Sequence, residues 1–213
     1  MIKYNKKCQK ILQIDINYYK QISGKYKEGE RNGKGKEYNE DNSLVFEGEY
    51  LNGIRNGNGK EYIGDKLLFE GEYKYGKRNG KGKEYHNNGN LKYEGDYLYG
   101  KKNGKGKEYY KDGKLKFEGE YLNGKKNGKG KEYNDNGELI FEGEYLNGKR
   151  NGKGKEYDSN GKIKFEGEYL NGLKWNGKLY DPKNIIICEI KNEVNDIIIK
   201  NKKFKENLAK SRK

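Results

Sequence analysis

Apolar and polar side chains alternate with a period of two through Phe141-Glu142-Gly143-Glu144-Tyr145-Leu146, break at Asn147-Gly148, resume near Gly152 to Tyr157 and break again at Asn160-Gly161. A period of two is the signature of a β-strand, and Asn-Gly is the dipeptide best suited to a tight turn. The stretch therefore predicts a β-hairpin followed by a turn into the next element. The phrase FEGEYLNGKRNGKGKEY at 141–157 returns with small changes at 117–133, 93–109 and 69–85. Aligned on the opening aromatic, the units start at Ile22, Phe46, Phe69, Tyr93, Phe117, Phe141 and Phe165, a spacing of 24 with one of 23.

The charges test the register. If Asn147, Gly148, Lys149 and Arg150 form a four-residue loop, Glu144 faces Lys153 and Glu142 faces Lys155, while Tyr145 faces Gly152 and Gly143 faces Gly154. Opposite charges then line one face and an aromatic covers glycine on the other. The same pairing recurs as Glu72 with Lys81, Glu70 with Lys83, Asp96 with Lys105 and Glu120 with Lys129. A two-residue Asn-Gly turn is the alternative and pairs fewer of these charges, so the four-residue loop is preferred. Glycine weakens a strand, and its return at Gly48, Gly71, Gly95, Gly119, Gly143 and Gly167 implies a slot that a neighbour's tyrosine fills.

Composition pulls the other way. Only 31% of the 213 residues are hydrophobic and the net charge is +14, values that on their own describe a disordered chain. Regular return of the apolar positions overrides this, because neighbouring units can bury side chains that no single unit could. The expected fold is all-β, an elongated single-layer antiparallel β-hairpin repeat ribbon about 70 Å long, with short irregular or helical caps. Residues 1–21 form an N-terminal cap or arm, 22–180 the seven units, and 181–213 a degenerate repeat or cap with a basic tail. In that segment Ile186, Glu189 and Asn192 align with Phe165, Glu168 and Asn171, and 197–213 is either a basic helix or a frayed tail. Trp175 interrupts the last full unit, as terminal repeats often are interrupted. Cys8 and Cys188 lie in opposite end segments and are expected as free thiols. With no apolar run of membrane-spanning length and no signal-peptide core, a cytoplasmic location is expected, with peripheral attachment to membrane or cytoskeleton as a variant.

Units of aromatic-Glu-Gly-Glu-Tyr, Asn-Gly-Lys and Asn-Gly-Lys-Gly resemble the MORN repeat (membrane occupation and recognition nexus) from Ile22 to Tyr180. GELIFEGEYLNGKRNGKGKEY is also similar to repeats of bacterial YwqK-type proteins, some of which are described as antitoxins. The chain has Asn151 where MORN repeats often have His, and Tyr145 where they often have Trp. The resemblance implies a hairpin ribbon and a non-catalytic scaffold, with dimerisation and acidic-phospholipid binding among the family's properties.

Catalysis needs a unique constellation, and none stands out. His86, the only histidine, sits where other units have Tyr110, Asn134 and Asp158, which makes it a connector residue. Neither cysteine has a partner at zinc-ligand spacing. Glu142 and Glu144 have lysines opposite, a structural explanation. GKRNGKGK fails as a phosphate loop: Gly148 to Gly152 is too short and Glu156, not Ser or Thr, follows Lys155. No catalytic residue, cofactor or metal site is therefore assigned.

The pairs Lys77-Arg78, Lys101-Lys102, Lys125-Lys126 and Lys149-Arg150 lack glutamate partners in the expected register and should form a ladder along one edge at about 10 Å intervals. Each Lys or Arg near an anionic membrane contributes about 1 kcal/mol, so this ladder is the candidate anionic-surface site, with a solvated edge as its bland alternative. The candidate partner or packing face consists of Phe117, Tyr121, Phe141, Tyr145, Phe165 and Tyr169. The function expected is a non-enzymatic scaffold or adaptor binding unidentified protein partners, with homodimerisation open. Peripheral binding to anionic membrane lipids is the alternative and a YwqK-like antitoxin a lesser one. Nucleic acid is disfavoured, since the strand charges are paired and no recognition motif is present.

Overall fold

The computed structural model of the chain describes residues 26–191 and 197–198. It is all-β, with antiparallel hairpin repeats and no helix among the described residues. The chain groups into two compact units, residues 1–103 with 111–113 and residues 104–110 with 114–213. In the first unit β1 (Tyr26–Gly29), β2 (Gly33–Tyr38), β3 (Leu44–Leu51), β4 (Ile54–Ile63), β5 (Lys66–Lys74), β6 (Lys77–Tyr85) and β7 (Leu91–Leu98) pair in chain order. The division falls within β8 (Lys101–Tyr109). In the second unit the later part of β8 pairs with β9 (Leu115–Leu122), and the order continues through β10 (Lys125–Tyr133), β11 (Leu139–Leu146), β12 (Lys149–Tyr157), β13 (Ile163–Leu170), β14 (Leu173–Tyr180), β15 (Ile186–Ile190) and β16 (Ile197–Ile198).

The hairpin turn has two residues, not four. Asn147 and Gly148 both take positive φ, 51° and 87°, and Tyr145 pairs with Arg150 and Leu146 with Lys149. Two left-handed residues make a turn whose twist matches that of the strands, which favours it over the longer loop. Farther along, Gly143 pairs with Gly154 and Glu142 with Lys155, as the four-residue register required. A bulge reconciles the two ends: Asn151, Gly152 and Lys153 stand opposite Glu144 alone. Gly152, at φ 95°, supplies the left-handed residue the bulge needs.

Backbone groups at the bulge find partners in the Glu144 carboxylate and in the next turn. The Glu144 carboxylate folds over Gly152 and accepts from the Lys153 N–H at 3.3 Å, as Glu72 does from Lys81 at 3.0 Å and Glu49 from Asn58 at 2.9 Å. Asn151 Oδ1 accepts from the Asn171 N–H of the next turn at 3.1 Å, and the Arg150 carbonyl accepts from Gly172 N–H at 2.8 Å. Turns are thus tied to the bulges of the preceding hairpin, a structural use for the asparagine.

The core of each unit is a single file of rings. Phe141 meets Tyr145 of its own hairpin at 5.5 Å and Tyr169 of the next at 5.3 Å, both edge-to-face, and Phe117 meets Tyr145 at 5.4 Å. The first unit repeats the pattern through Phe46, Tyr73, Phe69 and Tyr97. The opening aromatics Phe46, Phe69, Tyr93, Phe117, Phe141 and Phe165 are wholly buried. Burying each contributes about 1.5–3 kcal/mol, with edge-to-face contacts adding about 0.5–1.5 kcal/mol.

Glycine makes the slot, but phenylalanine is its main occupant. A Cβ on Gly154 would lie 2.7 Å from the Phe141 ring and 3.2 Å from Tyr169, so the tyrosine of the next hairpin only completes the fit.

The ends depart from the pattern. Lys27 pairs with Glu37, the position that Phe46 holds opposite Glu61, so in β1 a lysine occupies the aromatic place. At the other end Tyr180 pairs with Ile186 and Leu179 with Cys188. Cys188, buried and free, therefore takes the aromatic position, two residues beyond the Ile186 of the sequence alignment. The thiol is small enough to follow Leu179 where a ring follows glutamate in other hairpins, and burial followed by the Glu189 charge pushes its pKa up. Ile22, Cys8, Asn192, the proposed arm at 1–21 and most of the 197–213 helix or tail lie outside the described residues.

Candidate functional site

Arginine and lysine at the second turn-pair position follow from the corrected register. Because the turn has two residues, Arg150 faces Tyr145 and its side chain turns onto the aromatic face. Its guanidinium sits 4.1 Å from the centre of the Phe141 ring and bridges Glu132 at 2.6 Å and Glu156 at 2.8 Å. Lys126 lies 4.0 Å over Phe117 and 2.9 Å from Glu132, and Lys174 is 2.7 Å from Glu156. In the first unit Arg55 bridges Glu37 at 2.7 Å and Glu61 at 3.2 Å. Arg78 bridges Glu61 and Glu84, the latter at 2.8 Å. Lys102 lies 4.0 Å over Tyr93.

This arrangement corrects the expected ladder. Arg78, Lys102, Lys126 and Arg150 are strand residues half-buried over the rings, and ion pairs hold Arg78, Lys126 and Arg150 to carboxylates. Of the eight, only Lys77, Lys101, Lys125 and Lys149 are exposed beside the turns. Sequence reasoning missed the inward set because the four-residue loop gave Arg150 no strand parity. The signal available was Asn-Gly itself, which fixes the turn and hence which face Arg150 shares.

The electrostatics of the aromatic face are those of a closed structural network. Burial would raise the Glu37 carboxyl, but hydrogen bonds and charge from Arg55 and Lys27 outweigh it and bring the pKa down to about 2. Burial would likewise raise the Glu132 carboxyl, but hydrogen bonds and charge from Arg150 and Lys126 outweigh it and hold it below its ordinary value. The guanidinium of Arg150 is raised against the opposing effect of burial by Glu132. Burial and then Glu132 push the Tyr145 phenol far above its ordinary range, so it stays neutral.

On the opposite face the first glutamate of several repeats accepts from a tyrosine hydroxyl: Tyr157 to Glu142 at 2.5 Å, Tyr133 to Glu118 at 2.9 Å, Tyr85 to Glu70 at 2.6 Å. Burial and the Glu118 bond raise Tyr133 to about 12. Ion pairs here join neighbouring hairpins, Lys155 to Glu166 at 3.1 Å and Lys81 to Asp96 at 2.6 Å. Glu142 and Glu144 thus have separate structural tasks, one at a tyrosine and one at a bulge.

The aromatic candidates Phe117, Tyr121, Phe141, Tyr145, Phe165 and Tyr169 come together as expected, but all six are buried, so they pack the chain and leave no ring surface for a partner. His86 lies in the connector after β6, its N–H donating to the Asn90 carbonyl at 2.8 Å. Among the described residues no three His, Cys, Asp or Glu side chains gather as metal ligands would.

What remains outward is the hairpin-turn edge. In the second unit it exposes Leu122, Leu146, Leu170 and Leu173, and in the first Leu51, Ile54, Tyr75, Leu98 and Tyr99. The exposed lysines stand beside them: Leu122 pairs with Lys125 and Leu146 with Lys149. Sequence reasoning found these lysines and overlooked their apolar neighbours.

Stacked hairpins held by ring ladders and glutamate bridges define a β-hairpin repeat protein. Residues 23–43, 46–66, 69–91, 93–114, 117–138 and 141–163 match the MORN repeat, together more than half of the chain, and the chain belongs to the MORN repeat family. No curated protein matches it. MORN repeats are non-enzymatic repeats that typically serve as scaffolds for interaction with proteins or membranes.

Proposed function

We propose that the chain is a non-catalytic scaffold or adaptor that binds protein partners through its hairpin-turn edge. The observation that carries this reading is the recurrence of exposed leucines at one register position, Leu122, Leu146 and Leu170, while the equally recurrent rings are buried. Apolar side chains left outward in a contiguous row mark interaction surfaces more often than isolated ones do. The lysines beside them supply a polar rim and favour acidic partners.

Affinity capture with quantitative mass spectrometry tests it. Leu122→Asp, Leu146→Asp and Leu170→Asp together should remove the proteins that the unaltered chain retains while leaving its thermal transition within a few degrees. Equal recovery by both forms rejects the turn edge as the binding surface.

A second reading is favoured by one observation, the exposure of Lys77, Lys101, Lys125 and Lys149 next to apolar side chains. A lysine contributes about 1 kcal/mol at an anionic membrane, so the two that each unit carries support weak, reversible, salt-sensitive docking to phospholipid. Co-sedimentation with phosphatidylserine vesicles, absent with phosphatidylcholine alone and abolished by Lys125→Glu with Lys149→Glu, is the result this reading requires. A protein that stays in the supernatant removes it.

A further inference from the structure

Two adjacent turns of the first unit break the rule the others keep. The first central residue is asparagine at Asn52, Asn123, Asn147 and Asn171, with φ between 51° and 53°. In Lys74-Tyr75-Gly76-Lys77 and Leu98-Tyr99-Gly100-Lys101 it is tyrosine, at φ 51° and 49°. Asparagine tolerates the left-handed region because its short polar side chain bonds locally, whereas a bulky aromatic has no such compensation. Neither ring is used inside the fold, for Tyr75 is 70% exposed and Tyr99 65% exposed. Backbone held in a sparsely populated region with nothing gained in packing is a mark of a binding position.

The surroundings specify the ligand. Gly76 N–H donates to the Arg55 carbonyl at 2.9 Å and Gly100 N–H to the Arg78 carbonyl at 2.8 Å, which stacks the two tyrosine turns on the Leu51-Asn52-Gly53-Ile54 turn. Ile54 lies against the Tyr75 turn, within 3.4 Å of where a Gly76 Cβ would be. Three tips at intervals of about 10 Å make a strip roughly 20 Å long, the reach of about six extended residues or four helical turns. The three turns contain Lys74, Lys77 and Lys101 and no acidic residue, and the Lys74 ammonium stands 5.6 Å from the Tyr75 ring centre. The nearest strand carboxylates are engaged, Glu72 by the Lys81 N–H and Asp96 by the Lys81 ammonium.

We propose that Ile54, Tyr75 and Tyr99, flanked by Lys74, Lys77 and Lys101, form a docking strip for an acidic amphipathic segment of a partner protein. The proposal rests on the protein-binding reading above and narrows it to one site and one ligand chemistry. Tyrosine supplies large, rigid contact area of the kind that dominates interfaces, and the lysines select negative charge. General attraction of lysines to a bilayer gives no reason for tyrosine at two neighbouring turns where Asn52, Asn123, Asn147 and Asn171 hold the same place.

The probe is a phage-displayed library of random peptides of about 16 residues, long enough to cover the strip as a helix. Selection on the full chain should enrich net-acidic peptides with apolar residues on one face. Their affinity should fall about tenfold or more with Tyr75→Asn and Tyr99→Asn together, and fall with rising salt. The double variant carries the residue found in the other four turns, and thermal denaturation verifies that it folds. Enriched peptides that bind the variant equally well, or lack acidic residues, overturn the strip while leaving the protein-binding reading standing. If no peptide is enriched and phosphatidylserine vesicles bind the unaltered chain but not the variant, both fall. If neither peptides nor vesicles bind, the strip is overturned.

Discussion

The aromatic face and the hairpin-turn edge are built from the same kinds of residue, rings or leucines beside Lys and Arg, and have opposite fates. On the face, the repeated rings and charged groups find partners one hairpin away: Phe141 touches Tyr169, and Arg150 bridges Glu132 and Glu156. On the edge, Leu146 and Lys149 pair with each other through the backbone and leave both side chains outward. Repetition therefore does not by itself distinguish structure from function in a repeat protein. A recurring residue is structural when the next repeat consumes it and a candidate for binding when the next repeat does not.

The comparison breaks most sharply at Phe141. Phe141→Ala removes a wholly buried ring and leaves a cavity between Tyr145, Tyr169 and the glycine slot, at a cost of about 3–5 kcal/mol. Urea denaturation should show the midpoint falling by that equivalent. A loss below about 1 kcal/mol would mean that the face is loosely packed and available to ligands after all.

Acid acts on the face through its carboxylates. Glu37 has a folded-state pKa of about 2 against an ordinary value of 4.5. Its contribution is present above the unfolded value and is lost as pH falls from about 4.5 toward 2, by up to about 3 kcal/mol. Glu132 and Glu156, also held low, add losses in the second unit over the same acid range. Thermal melts from pH 6 to pH 2 should show this decline, and Arg55→Gln should flatten the part due to Glu37. The edge carries no such carboxylate and should not contribute.

Arg150→Ala comes next. It strips Glu132 and Glu156 of a shared partner and uncovers Phe141, at about 2 kcal/mol given that these groups are only mostly shielded from water. Lys126 and Lys174 still neutralise the two carboxylates, which keeps the loss below that of an orphaned buried charge. Lys149→Ala, one residue away on the edge, should change stability by less than about 0.5 kcal/mol. Equal effects at the two positions would erase the distinction between face and edge.

Much of this was legible in the sequence, and the failures have one origin. The hairpins followed from period two and Asn-Gly, and the glycine slots from Gly143 and Gly154. The turn was set too long because four residues placed Glu144 opposite Lys153 and maximised ion pairs. The chain obtains most of that pairing with a shorter turn and a bulge at Gly152, where Glu144 serves the Lys153 backbone N–H. Charge matching favoured the longer loop because it left out the bulge, which restores Glu142 opposite Lys155 behind a two-residue turn. Only φ at Asn147 and Gly148 decides, and it also decides whether Arg150 belongs to a loop or to the core. The last hairpin was misaligned for a different reason: Cys188 occupies the aromatic position without being aromatic, so no pattern of rings could find it.

The one stability effect expected to be favourable is also the one that separates face from edge most cleanly. Tyr75→Asn places a residue suited to the left-handed region at φ 51° and removes a ring that is 70% exposed. Nothing in the fold depends on that ring, so stability should rise by about 0.5–1 kcal/mol. On the face a change that damages the chain's interactions damages its folding too, because both are the same contacts. At Tyr75 they are predicted to move in opposite directions, with a higher melting temperature and weaker capture of an acidic peptide. A fall in melting temperature would show that the tyrosine is consumed by its neighbours like the rings of the core, and the edge would lose its claim to be different.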